Sequence, residues 1–242
     1  MASAPTWLTR RPIAHRGWHD LAQGRAENSL SAFRAAADAD FAIECDVQLT
    51  ADGTAVVFHD DVLDRLTAEG GPVVSRTAAE LARLRVLGTA DTIHTLQRHL
   101  ELVAGRVPVI IELKSCPGRA DALTKAVAEA LADYDGPAAV MSFDHELCER
   151  FAAAIPDRPR GLTAQGDAAT GPDHVAAMNR YDLGFVSYDV NALPHPFVSD
   201  MRRSGVPVIT WTVRTPDQVA RTREHADQMT FEGFDPRRMA DG

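Results

Sequence analysis

The chain has 242 residues, of which 45% are hydrophobic, and it carries a formal net charge of −9. This charge argues against nucleic acid as a partner, because duplex binding needs a basic face; it still allows a small anion in a local cationic pocket. The three cysteines lie far apart, which favours a reducing, cytoplasmic compartment over a disulfide framework or a zinc site. No segment approaches the ~20 apolar residues of a membrane span, so we expect no stable membrane insertion.

Apolar, β-rich runs alternate along the chain with alanine-rich segments of helical periodicity. The predicted strands are 12–16, 41–49, 55–59, 107–114, 138–143, 159–163, 184–188, 206–212 and 228–232. The predicted helices lie near 28–38, 77–84, 95–104, 119–133, 144–154, 172–180, 196–204 and 216–224. Thr77 with Glu80, and Thr215 with Pro216, are typical of helix starts. Repeated strand–helix units indicate a parallel sheet with helices outside it.

One predicted strand does not fit a parallel set. The dipeptide Asp52-Gly53 favours a tight hairpin, so 55–59 is predicted to run antiparallel to the preceding strand. Eight strands then remain, which is the number that closes a β/α barrel. We therefore expect a single (β/α)8 TIM barrel over residues 1–242, with a β-hairpin and a short insertion (60–76) after the second strand. An open doubly wound sheet is the alternative, although no glycine-rich phosphate fingerprint follows the first strand.

The hairpin also predicts a cluster of charged side chains. A two-residue loop would place Asp46 directly opposite His59, and Glu44 would share the face of Asp46. In strand 107–114, Glu112 and Lys114 likewise alternate with apolar residues. Three carboxylates on one interior face would repel each other unless a cation neutralised them, so we expect a divalent metal ion there.

The same residues belong to motifs that resemble those of the glycerophosphodiester phosphodiesterase family. The N-terminal motifs are Ile13-Ala14-His15-Arg16-Gly17, Glu27-Asn28-Ser29, Glu44-Cys45-Asp46-Val47-Gln48-Leu49-Thr50 and Val57-Phe58-His59-Asp60. The later motifs are Ile111-Glu112-Leu113-Lys114, Ser142-Phe143 and Trp211-Thr212-Val213. The resemblance implies a β/α barrel that uses one divalent cation, Mg²⁺ or Ca²⁺. It further implies hydrolysis of glycerophosphodiesters to glycerol 3-phosphate and an alcohol.

The resemblance also implies a role for each matching residue. The implied metal ligands are Glu44, Asp46 and Glu112; the implied catalytic residues are His15 and His59; and the implied substrate-binding residues are Arg16, Lys114, Phe143 and Trp211. Glu27 and Asn28 are implied to support this site from behind. Which histidine is the acid and which the base stays open. So does the nucleophile, which is either the neighbouring glycerol hydroxyl or water.

Some positions depart from the family pattern, and other functions stay open. Ser29 replaces a threonine, Cys45 a bulky aliphatic residue and Arg214 an asparagine, while 229–236 lacks the usual Ile-Thr-Asp-x-Pro. The contribution of this C-terminal rim is therefore left open. The alternatives are a phosphodiesterase acting on a lysophospholipid or a phosphosugar diester, and a non-catalytic ligand-binding barrel. No role is predicted for the other seven histidines, and the oligomeric state is not predicted.

Overall fold

The computed structural model describes residues 4–239, which form ten strands and eight α-helices. The strands are β1 (Ile13–Ala14), β2 (Ala42–Leu49), β3 (Ala55–Val57), β4 (His94–Thr95), β5 (Val109–Leu113), β6 (Ala138–Ser142), β7 (Arg160–Ala164), β8 (Phe185–Asp189), β9 (Val208–Val213) and β10 (Gln228–Phe231). The helices are α1 (Leu30–Asp38), α2 (Ala78–Leu81), α3 (Leu96–Val103), α4 (Ala120–Leu131), α5 (His145–Ala154), α6 (Gly171–Arg180), α7 (Pro196–Arg203) and α8 (Pro216–His225).

Eight of these strands close a parallel barrel in the order β1-β2-β5-β6-β7-β8-β9-β10, and β1 pairs with both β2 and β10. The helices other than α2 follow the barrel strands in turn, as in a (β/α)8 fold. The predicted TIM barrel is confirmed. Strands β3 and β4 lie outside the circle and are antiparallel to their neighbours.

The barrel is closed at its N-terminal end by apolar side chains. Leu8, from a 3₁₀ turn at Thr6–Thr9, packs with Ile13, Ile110 and Phe185 inside the barrel. A separate, larger apolar cluster fills the space between the strands and the outer helices. Any cavity inside the barrel must therefore open at the C-terminal ends of the strands.

The predicted register of the hairpin is wrong by one residue. Gln48 pairs with Val56, which brings Phe58 opposite Asp46; the Phe58 N–H donates to the Asp46 carbonyl at 3.0 Å. His59 lies just beyond the end of β3 and still borders the barrel cavity.

The shift in register follows from the length of the loop. The Thr50 N–H donates to the Thr54 carbonyl at 3.0 Å, so the loop contains three residues and not two. Gly53 is its last residue and has a φ of 79°, in the left-handed region. A three-residue hairpin loop commonly ends in this way.

The insertion after the hairpin is longer than the predicted 60–76. It runs from the end of β3 to β4 and includes α2, whose start at Thr77 is a complete capping box with Glu80. It has a small apolar core of its own, formed by Ala26, Val56, Phe58, Leu63, Leu66, Val73, Leu81, Val86 and Ile93. The two-residue strand β4 was not predicted, because so short a segment leaves no periodicity to detect.

No helix between residues 4 and 239 is both long and apolar enough to cross a membrane.

Candidate active site

The C-terminal end of the barrel contains a cavity of about 230 Å³. It is lined by His15, Arg16, Glu44, Asp46, His59, Glu112, Lys114, Met141, Phe143, Ser187, Trp211, Thr212, Arg214 and Thr230. The two predicted catalytic residues, the three predicted metal ligands and the four predicted substrate-binding residues are all among them. Strands separated by up to two hundred residues thus bring these side chains to one place.

Three buried carboxylates form an acidic cluster on one side of this cavity. Glu44 and Asp46 are two residues apart on β2, and Asp46 pairs directly with Glu112 on β5. Paired residues on parallel strands point to the same face, as do residues two apart on one strand. One oxygen from each carboxylate lies within 4.8 Å of the others, so the cluster could hold a metal ion.

Two cationic side chains accompany the three carboxylates. Arg16 Nε lies 3.3 Å from Asp46 Oδ2, and Lys114 Nζ lies 2.8 Å from Glu112 Oε1 and 3.5 Å from Asp46 Oδ1. The backbone N–H of Arg16 also donates to Glu44 Oε2 at 2.9 Å. Within this group of five, two positive charges face three negative ones, which leaves one negative charge in excess.

The excess charge is reflected in the pKa values of the carboxyls. Burial and the charges of Asp46 and Glu112 hold the pKa of Glu44 well above its usual range. Burial also raises the pKa of Glu112, whereas for Asp46 the charges of Lys114 and Arg16 outweigh burial and lower the pKa. A divalent cation would remove this conflict, since it favours the ionised form of all three groups.

A sharp turn after β1 presents Arg16 to the cluster. Arg16 has a φ of 55° and Gly17 a φ of 78°, so the backbone of both residues lies in the left-handed region. A Cβ on Gly17 would lie 2.8 Å from Phe33 Cδ1, which explains why glycine occupies this position.

His15 is held by a carboxylate that the sequence did not single out. Its Nδ1 lies 2.6 Å from Glu232 Oε2, and its Nε2 lies 4.0 Å from Glu44 Oε2. Burial would raise the pKa of Glu232, but hydrogen bonds from His15 and Arg214 lower it well below its usual range. Because Glu232 is therefore ionised, Nδ1 must carry the proton in this contact, and Nε2 is left to face the cluster.

His59 has a similar arrangement. Its Nδ1 lies 2.6 Å from Asp60 Oδ1, and Arg65 Nε donates to Asp60 Oδ2 at 2.6 Å. The hydrogen bond from Arg65 is the largest of the effects that hold the pKa of Asp60 well below its usual range. The sequence contains Asp60 beside His59, but no role was predicted for Asp60 or Arg65.

Glu27 and Asn28 lie behind the cavity and do not line it. Glu27 Oε1 accepts a hydrogen bond from Arg16 Nη1 at 2.7 Å, and Asn28 Nδ2 donates to Asp46 Oδ2 at 2.8 Å. Ser29 is the N-cap of α1, because its side chain accepts from the Ala32 N–H, while Asn28 has a φ of 52° that turns its amide toward Asp46.

The part of the opposite side formed by Phe143, Ser187 and Trp211 is uncharged. The rings of Phe143 and Trp211 meet edge to face with centroids 5.3 Å apart, and Trp211 Nε1 donates to the Ser187 carbonyl at 3.2 Å. Among residues 4–239, the buried hydroxyls of Ser187 and Thr230 find no hydrogen-bond partner. This side offers an apolar surface with a few hydroxyls.

A larger cleft of about 710 Å³ lies outside the barrel between α3 and α4. Its described lining includes carboxylates such as Glu101 and Asp133 but no histidine, lysine or arginine. It therefore lacks the mixture of acid, base and cation found inside the barrel.

The fold and the cavity together define a barrel protein of the phosphodiester-hydrolase class, with an acidic cluster, two imidazoles and three cationic side chains at the C-terminal face. The model of the glycerophosphoryl diester phosphodiesterase family matches residues 15–227. The chain belongs to this family, as its motifs indicated.

Individual relatives agree with the family match. A glycerophosphodiester phosphodiesterase of Caldanaerobacter subterraneus is 32% identical over 223 residues, which cover 86% of this chain and 88% of the relative. Glycerophosphodiester phosphodiesterase 1 of Bos taurus is 26% identical over 88% of this chain and 74% of its own length. A phosphodiesterase of Oleispira antarctica, solved with the product sn-glycerol-3-phosphate, is 25% identical, with a TM-score of 0.82 over 91% of each chain.

Proposed function

We propose that the chain hydrolyses glycerophosphodiesters to glycerol 3-phosphate and an alcohol, with the help of one divalent cation. The observation that carries this proposal is the composition of the barrel cavity. Three carboxylates, two imidazoles, three cationic side chains and an aromatic wall line a space of about 230 Å³. These groups suit the cleavage of a phosphodiester with a small carbon backbone.

The residues Glu44, Asp46 and Glu112 would hold the cation. They fit a hard ion such as Mg²⁺ or Ca²⁺, because their oxygens converge within 4.8 Å and carry one more negative charge than the adjacent Arg16 and Lys114 neutralise. When bound, such an ion polarises a phosphoryl oxygen and stabilises the charge of the transition state.

The two cationic side chains would bind the phosphate. Lys114 and Arg16 line the cavity, and both are fixed in place by carboxylates, so little side-chain freedom is lost when an anion binds. In the proposed reaction they offset the negative charge that develops on the phosphoryl oxygens.

His15 and His59 would transfer the protons. One imidazole takes the proton of the attacking hydroxyl as its oxygen bonds to phosphorus; the other gives a proton to the alcohol oxygen as its bond to phosphorus breaks. Each Nδ1 lies 2.6 Å from a carboxylate oxygen, Glu232 for His15 and Asp60 for His59. These contacts orient both rings and leave each Nε2 for the exchange.

Phe143 and Trp211 would form the surface for the glycerol unit. The Oleispira antarctica phosphodiesterase contains sn-glycerol-3-phosphate, and this relative supports a product of the same kind for our chain. The alcohol half of the substrate is left open, as are a lysophospholipid or a phosphosugar diester in its place. The cytoplasmic location stays a prediction.

A chelation experiment tests the proposal. Purified protein is incubated with glycerophosphocholine, glycerophosphoethanolamine or lysophosphatidylcholine, and phosphate-containing products are followed by ³¹P NMR. We expect release of glycerol 3-phosphate from one of the first two substrates, loss of this activity with EDTA, and recovery with Mg²⁺ or Ca²⁺.

The other outcomes separate the alternatives. Cleavage of lysophosphatidylcholine alone would favour the lysophospholipid enzyme. Binding of a glycerophosphodiester without turnover, with or without metal, would favour a non-catalytic barrel. Full activity after complete removal of divalent ions would contradict the assigned role of the acidic cluster.

A further inference from the structure

Arg214 borders the cavity just after β9. Its guanidinium makes a bidentate contact with Glu232: Nε lies 3.2 Å from Oε1 and Nη2 lies 3.0 Å from Oε2. Its backbone N–H donates to Gln218 Oε1 at 2.7 Å, which ties the residue to the start of α8. Arg214 is therefore anchored at both its backbone and its side chain.

Glu232 in turn contacts the candidate catalytic imidazole. It follows β10 directly, and its N–H donates to the Val213 carbonyl at 2.9 Å. Its Oε2 accepts a hydrogen bond from His15 Nδ1, and the two atoms are 2.6 Å apart. Arg214, Glu232 and His15 thus form a continuous line of hydrogen bonds across three adjacent strands, β9, β10 and β1.

On the His59 side of the cavity, an arginine, a carboxylate and an imidazole follow one another in the same order. The two sets differ in how the carboxylate is held near its imidazole. Arg65 donates to Asp60 Oδ2 from Nε at 2.6 Å and to Asp60 Oδ1 from Nη2 at 2.8 Å, and Asp60 contacts His59. Asp60 is bonded covalently to His59, so the chain itself keeps this carboxylate near its imidazole. Glu232 is 217 residues from His15, and its side chain is fixed only by noncovalent contacts.

We propose that Arg214 is a positioning residue for the reaction: by fixing Glu232, it keeps the Nδ1 proton of His15 in place and so keeps Nε2 directed at the reacting groups. This inference rests on the proposed function. Without Arg214, the Glu232 carboxylate could rotate and would hold the imidazole less well. The bidentate contact with the guanidinium fixes both carboxylate oxygens. Arg214 acts through Glu232 and not through the substrate.

Steady-state kinetics with glycerophosphocholine and saturating divalent metal tests this assignment. The variants are Arg214→Gln, Arg214→Lys, Glu232→Gln and the double variant Arg214→Gln/Glu232→Gln. We expect Arg214→Gln to lower kcat by about 10-fold to 100-fold with KM within about 2-fold, as for other groups that orient a functional side chain. Arg214→Lys should recover part of the loss, since it keeps the charge but not the two-pronged contact.

The double variant supplies the decisive comparison. If Arg214 acts only through Glu232, the double variant is no slower than Glu232→Gln alone. A raised KM with unchanged kcat, or losses that multiply in the double variant, would show direct contact with the substrate anion and overturn the proposal.

Arg202→Gln is the matched control. Arg202 Nε contacts Asp227 Oδ1 at 3.0 Å beside the other ends of β9 and β10, so it is also an arginine–carboxylate pair but lies away from the cavity. We expect its kcat to equal that of the wild type. An equal loss of kcat in Arg202→Gln and Arg214→Gln would indicate a general structural effect and contradict the proposal.

A measurement without turnover keeps this inference separate from the proposed activity. ¹⁵N NMR of the imidazoles at pH 8, with His15 assigned from the signals lost in His15→Gln, reports which ring nitrogen carries the proton. We expect the Nδ1-protonated form in the wild type and a mixture in Arg214→Gln. An unchanged His15 spectrum in Arg214→Gln would overturn the proposal even if the enzyme proved active, and an inactive wild type would overturn only the proposed function.

Discussion

The two sides of the barrel cavity differ in charge and in how they are held. The charged side comes from β1, β2 and β5 and carries His15, Glu44 and Glu112, whose side chains are each held by a hydrogen bond. The uncharged side presents Phe143, which follows β6, and Trp211 of β9, whose rings meet edge to face. Arg214, which follows β9, contacts Glu232 and belongs to the charged side. Chemistry on a phosphodiester needs fixed charges, whereas recognition of its carbon skeleton needs only shape and apolar surface.

This difference predicts how variants on the two sides will behave. A substitution on the charged side should lower kcat, because its groups stabilise the transition state. A substitution on the uncharged side should raise KM, because its groups bind substrate and transition state about equally.

The largest effect is expected for Glu44→Gln. Glu44 is the carboxylate whose pKa burial and its acidic neighbours raise most clearly, so the neutral amide should lower turnover by about 10⁴-fold through loss of the metal. The same change should raise Tm in EDTA, because it removes a buried charge that is not neutralised there.

Activity and stability therefore change in opposite directions in this variant. Differential scanning fluorimetry with EDTA and with Mg²⁺ or Ca²⁺ measures the change in Tm. The metal should stabilise the wild type but not the variant. A lower Tm for Glu44→Gln in EDTA would mean that the cluster is not repulsive and would remove the physical argument for a cation.

The next largest effect is expected for His59→Gln. Loss of the proton-transferring imidazole should slow turnover by about 10² to 10⁴-fold at saturating metal. The fold should be kept, because His59 lies beyond the end of β3 and is partly exposed. Circular dichroism is the folding control, and wild-type turnover in the variant would show that His59 is not a proton donor or acceptor here.

The contrast between the two sides also explains what the sequence could predict. Glu44, Asp46 and Glu112 alternate with apolar residues on strands, and buried carboxylates are rare enough for such a pattern to indicate a function. Phe143 and Trp211 have no such pattern, because an aromatic residue at a strand end is equally typical of an ordinary core. They were assigned through the family motifs alone.

Glu232 was not predicted because its partner is defined only by tertiary structure. Glu232 contacts His15 across 217 residues, and the last strand departs from the family pattern at that point. A one-residue difference in loop length moved Phe58 opposite Asp46, because turn geometry sets the register of a hairpin and Asp-Gly fits both two-residue and three-residue loops. The order of elements was predictable because strand–helix units repeat along the chain.

A smaller effect is expected on the uncharged side. Phe143→Ala should raise KM for a glycerophosphodiester by about 5-fold to 30-fold, which corresponds to the loss of part of an apolar contact, with kcat within about 3-fold of the wild type. Phe143 is 42% exposed in the structure, so its loss should cost little stability. Initial rates over a range of glycerophosphocholine concentrations separate the two constants. A loss of kcat with unchanged KM would mean that this wall helps the chemical step, and the division between the two sides would fail.

The smallest effect concerns histidines outside both sides. His94 and His99 are buried beside Phe33, and burial lowers the pKa of His94 to about 4 and the pKa of His99 well below its usual value of 6.5. Unlike His15 and His59, neither has a carboxylate on its ring within residues 4–239. Both should therefore remain neutral in the folded protein at pH values where the unfolded chain already binds a proton.

Each of these two histidines should make the protein less stable as the pH falls below about 6.5. The free energy of unfolding should decrease by up to about 1.4 kcal/mol per pH unit for each of them, and for His94 this loss should end near its folded pKa of about 4. His99→Leu should remove one of the two contributions, so urea unfolding between pH 7 and pH 5 should show a shallower pH dependence than in the wild type.

His225→Gln, a change at a partly exposed histidine, is the control and should leave the slope unchanged. If His99→Leu and the wild type lose stability in parallel, then burial of an imidazole without a carboxylate partner does not govern acid sensitivity here, and the distinction between partnered and unpartnered histidines has no thermodynamic consequence.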